Sequence, residues 1–156
     1  MSDVLPYEPV RVRLRDGVAV GTSVALARLL AHAPPDVLRS VLDAVSAGAR
    51  PADYEQARAA RDTVLTASAY TRGGSACLPR SIATALICRL RGTWPAWCVG
   101  VLSSPPFTAH AWIESEGRIV DEPMNSSDFS TFFSVTAAAT ASTAATATTP
   151  TTMTAA

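Results

Sequence analysis

Residues 75–92 read SACLPRSIATALICRLRG, and the fold turns on this stretch. Ile82, Leu86 and Leu90 recur every four residues, with Ala83 and Ile87 beside them. That is the stripe of a helix buried over a wide face, with Gly92 as its stop. Pro79 suits a first helical turn, where a missing N–H costs nothing. Cys77 therefore sits at the mouth of the helix, directly after Thr71-Arg72-Gly73-Gly74, which reads as a flexible break. A thiol in that place feels the partial positive charge of the free N–H groups, which favours thiolate. The same groups can receive an oxyanion. The alternative is a buried structural cysteine, the commonest use of a free thiol.

Upstream, the pattern predicts mostly helices. Val10, Val12 and Leu14 alternate with Arg11, Arg13 and Arg15, so residues 4–20 read as extended. Asp16-Gly17 reads as a turn and Val18–Val20 as a returning strand. Ser23 is placed to cap a helix to about His32, which Pro34-Pro35 ends. Asp36 caps the next, with Val37, Leu38, Val41, Leu42 and Val45 on one stripe and Gly48 closing it. A third helix starts at Pro51 or Asp53 and runs to about Tyr70.

Downstream, the texture changes to strands. Trp97–Leu102 is a short apolar run. His110–Ser115 follows the loop Ser103–Pro106, and Glu116-Gly117 turns the chain into Arg118–Val120. Helices followed by an antiparallel sheet imply an α+β fold. After about Val135 the chain is nearly all Ala and Thr. A folded domain over 1–135 and a disordered tail over 136–156 are expected.

Bulk properties narrow the function. The 156 residues suit one domain, and thirteen basic residues, all arginine, balance thirteen acidic ones. Zero net charge offers no electrostatic case for nucleic acid or an anionic membrane. The apolar runs are too short to span a bilayer. Met1–Pro6 lacks a basic start followed by an apolar run, and three cysteines make no disulfide framework, so a reduced, cytoplasmic protein is expected.

His110 stands out among the two histidines, because it begins a strand beside a loop and can reach a cleft. His32 reads as a bland residue at a helix C-terminus. The hairpin returns Asp121 and Glu122 towards the His110 end of the sheet. A carboxylate there can bind the imidazole N–H and fix its tautomer. Cys77, His110 and one acid then make a nucleophile, a base and an orienter. Cys88 and Cys98 lie in apolar runs and read as core, as do Trp97 and Trp112; Phe107, beside His110, suits a substrate wall. Cys77, Cys88, Cys98 and His110 are too widely spaced to read as a zinc site, and no glycine-rich phosphate loop occurs. No metal or cofactor is expected.

The blocks GSACLPRSIATALICRLRGTWPAWCVGV (74–101) and PPFTAHAWIESEGRIVDEP (105–123) resemble the stand-alone leader peptidases of lasso-peptide biosynthesis, a family with a transglutaminase-like, papain-related fold. The likeness extends more weakly over the helical residues 22–70. It implies a catalytic Cys77, a base at His110 and an acid at Asp121 or Glu122, of which one strand face admits a single residue. It also implies partners: a ribosomally made precursor peptide, a separate leader-recognition protein and an ATP-dependent macrolactam synthetase. Two other functions fit the same residues: a transglutaminase-like acyl transferase that passes the acyl group to an amine, and a non-catalytic module that presents a peptide to other enzymes.

Overall fold

The computed structural model describes residues 7–12, 14–121 and 124–137. Four helices come first: α1 (Leu14–Leu30), α2 (Pro35–Ser46), α3 (Tyr54–Ala67) and α4 (Cys77–Leu90). A short strand β1 (Arg50–Pro51) lies between α2 and α3 and pairs in parallel with β2 (Thr93–Trp94). The main sheet then follows as β3 (Ala96–Leu102), β4 (Ala109–Ser115), β5 (Arg118–Ile119) and β6 (Phe129–Val135). Its order is β5-β4-β3-β6 and every neighbouring pair is antiparallel. The expected α+β class is what the chain adopts.

One face of the sheet meets the helices. Trp97, Ala111, Ile113 and Val135 join Val20, Val24, Ala27, Val64, Ile82 and Ala83 in the principal core. Trp97 is fully buried, and its indole N–H donates to Ser81 Oγ at 3.0 Å, pinning β3 to α4. The other face carries a smaller cluster of Cys98, Trp112 and Phe129.

Two sequence expectations fail here for physical reasons. Residues 14–20 belong to α1, and Asp16-Gly17 lies inside that helix. Val20, Val24 and Ala27 follow helical spacing and are buried, so tertiary packing overrides the local alternation and the β-branched residues. Asp16 in the first turn is well placed for the helix dipole. Ser23 is thus an interior residue rather than a cap. The second failure is β6, which was not foreseen at all. Its register against β3 shifts between Val99 and Gly100: Gly100 faces Thr131 and Val99 faces Phe133. Phe132 is therefore the extra residue of a bulge. The bulge inverts the facing of the strand, so Phe129 joins the smaller cluster while Val135 joins the main core. No period of two survives to be read.

Smaller differences concern ends. Pro34, not Asp36, is the N-cap of α2. Asp53 caps α3 through a capping box with Gln56. The helix stops at Ala67, and Ala69–Arg72 forms a 3₁₀ turn. Of the expected tail, residues 138–156 lie outside the described residues.

Candidate active site

The approach to Cys77 is two short 3₁₀ turns, Ala69–Arg72 and Gly74–Ala76, rather than the expected flexible break. Two arginines hold it. Arg72 reaches back to the carbonyls of Leu65 (2.6 Å, from Nε) and Thr66 (3.1 Å, from Nη2), satisfying orphan acceptors in the last turn of α3. Arg80, buried in the first turn of α4, donates from Nη1 to the carbonyls of Thr71 (3.1 Å) and Gly73 (3.3 Å). No side chain caps α4: its N-cap is Ala76. The sulfur of Cys77, half-buried, thus stands at a helix start whose dipole no capping side chain answers.

β4 meets that sulfur. The carbonyl of Ile113 accepts from Val120 N–H at 3.1 Å on the β5 side. Residues two apart on a strand point their N–H groups the same way, so Ala111 shows its N–H on this edge, beyond the reach of the two-residue β5. Both the Ala111 N–H and the His110 imidazole hydrogen-bond Cys77 Sγ. Burial pushes the Cys77 thiol up, but these bonds, the charge of His110 and that of Arg80 outweigh it, and the thiol lies below its ordinary value. Hydrogen bonds to the charged form and nearby cations stabilise a thiolate. The other two cysteines behave oppositely. Burial pushes both Cys88 and Cys98 up to about 12, as inert core thiols.

Cys77 and His110 are therefore brought together. Asp121 is held elsewhere. Its Oδ2 accepts from Arg58 Nε at 2.9 Å and its Oδ1 from Tyr54 Oη at 3.1 Å, both on α3. Its backbone takes the left-handed conformation, with φ of 45°, which aspartate tolerates better than most residues. Glu122, the other expected acid, lies outside the described residues. Trp97 and Trp112 are core, as expected, and Phe107 is exposed. His32 Nδ1 lies 2.7 Å from the carbonyl of Arg28, a local contact at the end of α1.

Sequence reasoning missed Arg80 and the Arg58–Asp121–Tyr54 cluster. Arg80 has a readable signal, since a cation three residues into a helix opposes the dipole unless something else uses it. The cluster has none, because Asp121 lies more than sixty residues from Tyr54 and Arg58.

A helix-borne thiol, an imidazole from the neighbouring strand and an antiparallel sheet are now on view, and a family model described as the transglutaminase-like superfamily matches residues 20–134. The chain belongs to the transglutaminase-like superfamily. Members are generally cysteine proteases or acyl transferases, so cysteine-based acyl chemistry is the activity class this membership suggests. No curated protein and no solved structure gives a significant match. Among the described residues no helix is long and apolar enough to cross a membrane, and no group of three or more metal-ligating side chains occurs.

Proposed function

We propose that this transglutaminase-like chain is a cysteine peptidase that removes the leader from a ribosomally made lasso-type precursor. The carrying observation is the Cys77 sulfur at a helix start with the His110 imidazole and the Ala111 N–H upon it. The resemblance of residues 74–123 to the lasso leader peptidases supplies the substrate.

In this reading the Cys77 thiolate attacks the carbonyl joining leader to core, and the C–O π electrons move onto oxygen. The backbone N–H of Cys77 helps hold that oxyanion. The tetrahedral intermediate collapses, the C–N bond breaks, and His110 gives its proton to the leaving amine, which becomes the N-terminus of the core. A water then yields a proton to His110 and attacks the thioester carbonyl. Breaking the C–S bond releases the leader acid and restores the thiolate. Glu122 is the orienting acid in this scheme. That choice is supported by the donors Arg58 and Tyr54, which already occupy both oxygens of Asp121. A separate leader-recognition protein raises the effective concentration of substrate, and an ATP-dependent macrolactam synthetase consumes the freed amine.

The test is mass spectrometry of a lasso-type precursor incubated with this protein and the leader-recognition protein, beside Cys77→Ala and His110→Ala. A single cut between leader and core, lost in both variants, is expected. No cut by the wild-type protein while its partner demonstrably binds the leader overturns the peptidase reading. Appearance of an amine-dependent adduct instead of a hydrolysed product moves the assignment to an acyl transferase.

A further inference from the structure

His110 does not project alone from β4. Its ring stacks on Phe129 with centroids 5.3 Å apart and planes 14° apart, and on Trp112 at 6.1 Å and 12°. Phe129 and Trp112 are themselves stacked at 4.7 Å and 25°. Both partners are buried. The imidazole is therefore the half-buried member of a three-ring group whose other two members are fixed in a core cluster.

We propose that Phe129 is a positioning residue for His110: its ring fixes the plane of the imidazole so that a ring nitrogen faces the Cys77 sulfur. The inference rests on reading Cys77 and His110 as the reacting pair. Trp112 sits two residues along the same strand face, so β4 alone sets their approximate parallel arrangement. Phe129 comes from a different strand and closes the group from the side. An imidazole near a flat aromatic face loses rotational freedom about χ2, and as imidazolium it gains attraction to the ring quadrupole.

The fold spends several independent features on bringing Phe129 there. A 3₁₀ turn at Ser126–Asp128, closed by reciprocal bonds between Asn125 and Asp128, delivers the chain into β6. The Asp128 carbonyl accepts from Ser103 N–H at 2.9 Å, fixing the turn to the end of β3. The bulge at Phe132 then turns Phe129 to the His110 face while leaving Val135 in the main core. Gly100, paired with His110 across the sheet, lets the Ser130 backbone come closer than any Cβ would allow. An unbulged strand would put residues 129 and 135 on one face, so Phe129 could not face His110 while Val135 stayed in the main core.

The test reads Cys77 itself, with iodoacetamide and mass mapping of the alkylated peptide, so no precursor is needed. In the full chain, Phe129→Leu is expected to slow Cys77 alkylation below the ordinary thiol range by roughly three- to tenfold, from the loss of one aromatic contact. Phe129→Tyr keeps the wild-type rate. In a His110→Ala background Phe129→Leu adds nothing, because it acts through the imidazole. An unchanged rate in Phe129→Leu, or the same slowing with His110 already removed, overturns the proposal. A second measurement does not depend on the variants folding. In NMR of the wild-type protein, the ring C–H protons of His110 should be shifted upfield by the neighbouring ring currents, and shifts of a free histidine would overturn the stack. The two readings fail separately. Wild-type protein whose Cys77 reactivity depends on His110 and Phe129, but which cuts no precursor, refutes the substrate and leaves the positioning role intact.

Discussion

Replacing Gly100 with alanine puts the β6 bulge to the test. A Cβ at this position would stand 3.0 Å from both the carbonyl carbon of Ser130 and the Cα of Thr131, and closer still to the Ser130 carbonyl oxygen. All three are backbone atoms, so no flexible side chain can swing aside. Carbon atoms pack best about 3.5–4.0 Å apart, so β6 must retreat by roughly 0.5–1 Å. Overpacking of this kind costs about 1–3 kcal/mol. For a domain of this size that lowers Tm by roughly 3–15 °C. The assay is thermal unfolding followed by far-ultraviolet circular dichroism, with the near-ultraviolet spectrum recorded on the folded state. The near-ultraviolet bands should change as well, because β6 carries Phe129 against Trp112. A Gly100→Ala protein that melts with the wild type, with an unaltered near-ultraviolet spectrum, would refute the account of β3–β6 packing and the placement of Phe129 built upon it.

Three further outcomes are expected. Cys77 should be the thiol that alkylates in the folded protein below pH 9, since its value lies under the ordinary 9.0 while those of Cys88 and Cys98 are pushed up to about 12. The thiolate is populated above the folded pKa and lost as pH falls through it, so the rate profile of Cys77 should lie on the acid side of a free cysteine peptide. His110→Ala should move it back up, and coincident profiles would count against the pairing. Arg80→Met strips donors from the carbonyls of Thr71 and Gly73. Leaving a buried acceptor unmade costs about 1–3 kcal/mol, so urea unfolding should show a clear loss of stability; a variant as stable as wild type would mean those bonds are dispensable. For the acid, Glu122→Gln should abolish precursor cleavage, whereas Asp121→Asn should keep it and melt at a lower temperature, having weakened the tie to α3. The reverse pattern would make Asp121 the orienting acid.

Much of the helical half was legible because its signals are local. Asp53 capping α3, Pro34-Pro35 breaking the chain and Gly48 and Gly92 taking positive φ all act within a few residues. The β4–β5 hairpin was legible for the same reason. Glu116 and Gly117 both take positive φ, at 54° and 73°, as a two-residue hairpin turn requires. The α1 region misled because the valine–arginine alternation leading into it and the Asp16-Gly17 pair inside it are local signals too, while the contacts that make it helical come from α4, some sixty residues on.

The placement of Cys77 at a helix start and of His110 at a strand start was determined by sequence alone, since periodicity and punctuation set both. Tertiary structure alone decided what surrounds them. The edge of β4 that offers the Ala111 N–H exists because β5 is short. Asp121 goes to α3 because Arg58 and Tyr54 are presented there by a helix turn. Phe129 reaches His110 through a bulge that only the pairing of β3 with β6 creates. A strand's facing depends on its register with a partner strand, and that partner is not written within the segment itself.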